Sequence, residues 1–385
     1  MPYGSPVATE PGQVFDNLRG VAERVRRHLE EEISESVEES SAQDAPADQI
    51  SRFAQEERAR VLEAGVTGLE KLAGNRADEI DEDEYFGVEA IVLLEGRPAL
   101  LVQGQDFVAP EGDWSAPLDA GRAAIRDALA RVGRVEVTGH PSLDWVGTAF
   151  LVGPRTVMTN RHVAVEFSRA EEAGWSFQQG MSARVDPGEE LPAAQAPGPG
   201  LAPGLAPGLV PSLAPGLAPG LAPGPGSTAA APPPYEITEV IGVHPDVDMA
   251  LLRVVPPDGA PLPAPLAVAA DAPATLPGRP VYVIGYPAWD GRRNEPESMR
   301  RIFMDVYNVK RLQPGTATEF TPGGLVMKHD CSTLGGNSGS PVLDLADHRV
   351  LGLHFGGRYR LGNFAVPLWE LVDDPLLARA EVNWV

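Results

Sequence analysis

Thr333-Leu334-Gly335-Gly336-Asn337-Ser338-Gly339-Ser340-Pro341-Val342 places a serine in a glycine-rich turn that feeds directly into an apolar strand. Glycine adopts backbone angles that other residues avoid, so Gly335, Gly336 and Gly339 mark a tight path on either side of the hydroxyl. Strand-like runs follow at 342–345, 350–354 and 363–366. Upstream, further runs stand at 134–138, 148–152, 156–159, 235–243, 249–254, 281–284 and 325–329. Gly, Pro and Asp turns separate them, and helical periodicity is nearly absent beyond Gly133. That texture predicts a mainly β domain, a sandwich or barrel.

Composition bounds what such a domain can do. The chain has 385 residues and is 43% hydrophobic, enough for one large core plus accessory segments. Its formal net charge of -23 repels phosphate backbones and anionic lipid heads, so neither nucleic acid nor a membrane is expected as a partner. The single cysteine, Cys331, excludes an intrachain disulfide framework and reads as a small buried apolar residue. No Cys/His cluster has zinc spacing, so neither a metal nor another cofactor is expected. The first residues lack a basic run and a central apolar stretch, and no apolar run approaches the length of a membrane span. A cytoplasmic location is the resulting expectation.

Composition shifts divide the chain. Residues 1–78 form a helical N-terminal region, with Val14, Leu18, Val21, Val25 and Leu29 at helical spacing and a second stripe from Ile50 and Phe53 through Leu62, Val66, Leu69 and Leu72. The acidic stretch 30–41 between them reads as solvated. Residues 79–134 read as a small unit, a hairpin of strands 90–94 and 99–102 followed by a helix over 118–131. Residues 135–385 hold the β domain, interrupted at 187–234 by an insertion with five copies of Leu-Ala-Pro-Gly. Proline withholds backbone donors and glycine raises the entropy cost of ordering, so this insertion is expected to be a disordered loop, with a proline-rich docking ligand as the lesser reading. The acidic N-terminal region is a candidate surface for a regulatory or effector protein.

Two more motifs accompany the serine turn. His162 follows a strand in Val157-Met158-Thr159-Asn160-Arg161-His162-Val163-Ala164, and Asp248 opens the apolar run of His244-Pro245-Asp246-Val247-Asp248-Met249-Ala250-Leu251-Leu252. A serine hydroxyl is a weak nucleophile near neutral pH and requires a base within hydrogen-bond reach. Imidazole has a suitable pKa, and a carboxylate can fix its tautomer. Each motif alone is common. Together, in the order His, Asp, Ser, they resemble the trypsin-like (chymotrypsin-fold) serine endopeptidases over residues 135–372. The turn, with Gly352-Leu353-His354-Phe355-Gly356-Gly357 after it, is most similar to the bacterial glutamyl endopeptidases within that superfamily.

The resemblance implies two Greek-key β-barrels of the chymotrypsin type, preceded here by an N-terminal helical and α+β extension. It implies His162, Asp248 and Ser338 as catalytic residues, with Asp246 the competing acid. The amides of Gly336 and Ser338 would form the oxyanion hole. Thr333, His354, Phe355, Gly356 and Gly357 would bind substrate, although His354 also reads as a packed strand residue. Ser332 stands where a trypsin-type enzyme carries its anionic pocket floor, so Arg or Lys at the cleaved residue is disfavoured. Glu or Asp there is the favoured expectation, and small or apolar residues the alternative. Asn337 replaces the aspartate that receives a new N-terminus in many relatives, so activation by that ion pair is not expected. The expected activity is metal-free hydrolysis of a protein or peptide through an acyl-enzyme on Ser338. The rivals are a silent protease-fold scaffold that binds peptides and a lipase-like esterase, which the missing Gly-x-Ser-x-Gly elbow disfavours. The basic stretch through Arg292, Arg293, Arg300, Arg301, Lys310 and Arg311 reads as a solvated loop.

Overall fold

The computed structural model describes residues 18–39, 46–74, 76, 79–81, 83–84, 88, 96–110, 112–172, 174–191, 231–257, 261–289, 303, 306–358 and 362–385, without the side chains of 28, 30–39 and 46–58. Helices α1 (Leu18–Glu39) and α2 (Pro46–Ala73) pair through the two apolar stripes. Val21, Val25 and Leu29 pack with Leu62, Val66, Leu69 and Val88 in a small core of their own. None of the described helices is long and apolar enough to cross a membrane.

Strands β1 (Leu100–Gln103) and β2 (Asp106–Phe107) make a tight hairpin. Its turn residues Gly104 and Gln105 have φ of 59° and 57°, the left-handed pair that matches strand twist. The hairpin therefore lies one strand later than the 90–94/99–102 expectation, and 90–94 falls outside the described residues. Helix α3 (Ser115–Leu129) follows and runs into the first barrel.

That barrel is built from β3 (Val132–Thr138), β4 (Trp145–Gly153) and β5 (Thr156–Thr159). The short helix α4 (Arg161–Ala164) and a small hairpin of β6 (Ser168–Glu171) and β7 (Gly174–Phe177) come next. Strands β8 (Ser182–Asp186), β9 (Tyr235–Val243) and β10 (Ala250–Val255) complete the order β10-β5-β4-β3-β8-β9, closed by β9 on β10. Most of the Pro/Gly-rich insertion joins β8 to β9 and lies outside the described residues.

The second barrel comprises β11 (Arg279–Gly285), β12 (Arg311–Phe320), β13 (Met327–His329), β14 (Pro341–Asp344), β15 (Val350–Arg358) and β16 (Gly362–Pro367). Its order is β11-β14-β15-β16-β13-β12, closed by β11 on β12, and β1 and β2 extend the sheet from β12. A 3-10 turn (Leu368–Leu371) and helix α5 (Pro375–Ala378) end the chain's last described segment. Two closed antiparallel barrels behind N-terminal helices are the mainly β, chymotrypsin-type architecture implied by the motifs.

Alternation along the strands explains why the two barrels pack together. On β4, Ala149 and Leu151 face the first barrel's interior, while Phe150 and Val152 face the second barrel. On β11, Val281 and Val283 fill the second barrel, whereas Tyr282 and Ile284 face the first. Strands buried on both faces read as continuous apolar runs, the signal visible in the sequence. The inter-barrel core also takes in Leu100, Leu118, Ile125 and Leu129, so β1 and α3 pack into the body of the β domain.

One expectation is corrected. Lys310 and Arg311 are fully buried, not solvated. Lys310 Nζ donates to the carbonyls of Leu129 (2.8 Å) and Pro187 (2.6 Å), while Arg311 donates to those of Ala99, Phe303 and Val306. A charge stays in a protein interior when hydrogen bonds engage it, and carbonyls brought from distant segments take Lys310 Nζ and both Arg311 Nη groups here. Arg292, Arg293, Arg300 and Arg301 lie outside the described residues.

Candidate active site

His162 is delivered by α4, directly after β5. Its amide donates to Asp248 Oδ1 at 3.0 Å, and its Nδ1 lies 2.6 Å from Asp248 Oδ2. Burial alone would raise the Asp248 pKa. The hydrogen bonds from His162 and the positive field of His162 and Arg161 outweigh it and hold the carboxylate below its ordinary range. With Nδ1 committed to Asp248, Nε2 is the ring nitrogen left to exchange a proton. Asn160 Nδ2 donates to the Asp248 carbonyl at 2.8 Å, joining the two motifs a second time. Asp246 makes no such approach; its amide turns back to His244.

The serine turn of the second barrel reaches into the first. The Thr148 amide donates to the Ser338 carbonyl at 2.8 Å, and Thr148 Oγ1 to the Gly336 carbonyl at 2.8 Å. A Cβ added to Gly147 would lie 2.6 Å from Val163 and 3.0 Å from the Ser338 carbonyl, so one glycine separates the serine backbone from His162's neighbour. Ser338 Oγ itself makes no hydrogen bond to His162 Nε2 among the described contacts. Such links tighten when substrate is bound.

Gly336 has φ +82°, and a Cβ there would overlap the Trp145 ring and the Tyr286 carbonyl. Only glycine fits that path. The amides of Asn337, Gly339 and Ser340 are taken by Leu334, His354 and Asn337 carbonyls. Those of Gly336 and Ser338 donate to no acceptor among the described residues, which leaves two N–H groups beside the hydroxyl for an incoming oxyanion. Asn337 is fully buried and its Oδ1 accepts from Gln313 Nε2 at 3.1 Å, so an internal side-chain amide engages the residue before the serine.

The residues expected to bind substrate divide into two groups. Phe355 and Gly356 are half-buried and Gly357 is exposed, on the end of β15 beyond its pairing with β14. Thr333 donates its hydroxyl proton to Asn363 Oδ1 at 2.7 Å, and Asn363 Nδ2 reaches the Cys331 carbonyl. His354 is buried, with Nδ1 3.1 Å from His329 Nε2. Desolvation first, then the nearby charge of His162, pushes the His354 pKa down to about 3, so the ring is neutral. Asn363 and His329 were not singled out in the sequence. They arrive by register, His329 opposite Asn363 across β13–β16 and Gly357 opposite Asn363 across β15–β16. Ser332 Oγ donates to the Arg97 carbonyl at 2.6 Å, which places the N-terminal segment beneath this wall.

Among the described residues, Glu136, Asp186 and Glu189 bring potential cation-ligand atoms within 4.8 Å of one another. Arg134 and Arg184 pair with Glu136, and Arg134 also pairs with Glu189, so guanidinium groups already supply the positive charge there.

The first barrel thus carries a histidine–aspartate pair, and the second a serine in a glycine-cradled turn. Residues 223–353 match the family model described as a trypsin-like peptidase domain, a span that includes Asp248 and Ser338 but begins after His162. Among solved structures, the chain is similar to the Rv3671c protease of M. tuberculosis in its active form (20% identity, 71% of this chain and 89% of that one, TM-score 0.39). It is also similar to that protease's inactive form (22%, 71% and 98%, TM-score 0.37) and to a serine endoprotease from Yersinia pestis (15%, 65% and 66%, TM-score 0.37). No curated protein matches the chain.

Proposed function

We propose that the protein is a serine endopeptidase that hydrolyses peptide bonds through an acyl-enzyme on Ser338. The observation that carries this reading is the short bond between His162 Nδ1 and Asp248 Oδ2, 2.6 Å, which fixes the imidazole with Nε2 as its working nitrogen. In this reading His162 removes the Ser338 hydroxyl proton as Oγ attacks the scissile carbonyl. Asp248 stabilises the imidazolium that forms, and the Gly336 and Ser338 amides receive the oxyanion. His162 then protonates the leaving amine, and water repeats the sequence to release the acid.

The same reading gives the pocket a preference for Glu or Asp at the cleaved residue. It is supported by the uncharged side chain of Ser332 and by the paired histidines. When His329 Nε2–H donates to His354 Nδ1, the His354 proton sits on Nε2, a neutral donor. A buried carboxylate needs such donors because desolvation costs it several kcal/mol. An N-terminal regulatory role and a cytoplasmic location belong to the proposal as well.

A fluorophosphonate probe tests the chemistry: it should label the wild type and fail on Ser338→Ala. An unlabelled wild type would return the reading to a peptide-binding scaffold. Hydrolysis of a peptide library varied at the cleaved position tests the pocket, and equal rates for Glu and Leu would remove the acidic preference.

A further inference from the structure

A second histidine–aspartate pair stands beside the first. His244, at the end of β9, is 5% exposed, and its Nδ1 accepts the amide protons of Asp246 and Val247, each at 3.1 Å. A nitrogen that accepts two N–H groups carries no proton of its own, so the ring proton sits on Nε2. That proton points to Asp374 Oδ2 at 3.1 Å. The other Asp374 oxygen accepts the amides of Leu376 and Leu377 at 2.8 and 3.3 Å, which fixes the carboxylate at the start of α5.

The turn organised by His244 ends in Asp248. The His244 amide donates to the Met249 carbonyl and the Met249 amide to the Val247 carbonyl, both at 2.9 Å. Arg161 Nη2 holds the Val247 carbonyl at 2.5 Å from the His162 side. The amides of Asp246 and Val247 have the imidazole as their acceptor, and without it the turn loses the bonds that set its backbone angles. Asp248 must hold Oδ1 on the His162 amide and Oδ2 on the ring together, so its aim depends on that turn.

We propose that His244, oriented by Asp374, is a positioning residue that sets the aim of Asp248 at His162. The proposal rests on the serine-hydrolase reading of the site and adds to it a support in the C-terminal helix, more than a hundred positions away in the chain. His244 takes no part in bond making. It acts through the geometry of Asp248, and displacements of that kind cost reactions about 10- to 100-fold.

The test uses the full chain with 15N-labelled histidine. The Nδ1–H proton of His162, bonded to Asp248, gives a low-field resonance that reports the pair directly. In His244→Ala this signal should broaden or shift upfield, and kcat and the rate of Ser338 labelling should fall about 10- to 100-fold while KM changes little. His244→Asn keeps an acceptor for the two amides and should recover most of both readouts. If His244→Ala melts below the assay temperature, the Asn variant carries the test: a native melting temperature without recovery of the resonance overturns the proposal. An unchanged resonance and labelling rate in a folded His244→Ala overturn it too. A wild type that resists the probe while its resonance still depends on His244 would sink the hydrolase reading and leave the positioning claim standing.

Discussion

Gly336 sits at φ +82° with the Trp145 ring and the Tyr286 carbonyl against the face where a side chain would start. Gly336→Ala must therefore rotate the peptide whose N–H is proposed to receive the oxyanion. Losing one oxyanion donor costs about 2.7 to 4 kcal/mol in the barrier, about 100- to 1,000-fold in kcat. Steady-state kinetics on a peptide substrate checks this, and a variant within threefold of wild type would show that the amide has no such role. The His162–Asp248 pairing and the turn around Ser338 were legible in the sequence because each lies in a compact motif whose neighbours fix its local path. Asn363 and His329 were not, because what makes them neighbours of Thr333 and His354 is strand register, and no short stretch of sequence encodes it.

β13 and β15 together bury two imidazoles, and that makes the second barrel sensitive to acid. The His354 pKa falls from an ordinary 6.5 to about 3, chiefly by desolvation and then by the charge of His162, and burial drives His329 down as well. Between those values the unfolded chain binds a proton that the folded chain refuses, so stability falls as pH drops below about 6.5 and is unaffected by this group above it. At pH 5 the His354 contribution alone is a loss of about 2 kcal/mol relative to pH 7.5. Thermal melts of the wild type should show this decline, and His354→Gln should flatten it. Equal pH slopes in the two proteins would contradict the assignment. Elements differed in legibility for a related reason. β4, β10 and β11 are buried on both faces and read as apolar runs. β12 opens on Arg311 directly after Lys310 and carries Pro314-Gly315 in mid-strand, a pair that signals a turn. In the fold Pro314 lies opposite Tyr282 in the antiparallel β11–β12 pair, the Asp330–Cys331 backbone packs against Gly315, and remote carbonyls engage Lys310 and Arg311.

At the scale of the whole molecule, the helical pair and the hairpin ahead of the first barrel have different relations to it. α1 and α2 fill their own small core, whereas β1 adds to the second barrel at Leu100↔Leu312 and Leu101↔Arg311. Leu100, Val102 and Phe107 are at most 5% exposed in the inter-barrel core, Ala99 supplies the carbonyl held by Arg311 Nη1 at 2.7 Å, and Arg97 caps Ser332. Removing residues 1–74 should therefore leave the melting temperature of the barrels within a few degrees of the full chain. Removing residues 1–107 takes away three side chains of the inter-barrel core, worth about 1.5–3 kcal/mol each, and strips a buried guanidinium of one acceptor at a further cost of about 1–3 kcal/mol. That total matches the whole stability of an ordinary domain, so the shorter chain should fail to fold. Circular dichroism melts of the two truncations decide the matter. If the chain lacking 1–107 unfolds as cooperatively and as late as the one lacking 1–74, then the hairpin only decorates the sheet and the β domain begins at α3.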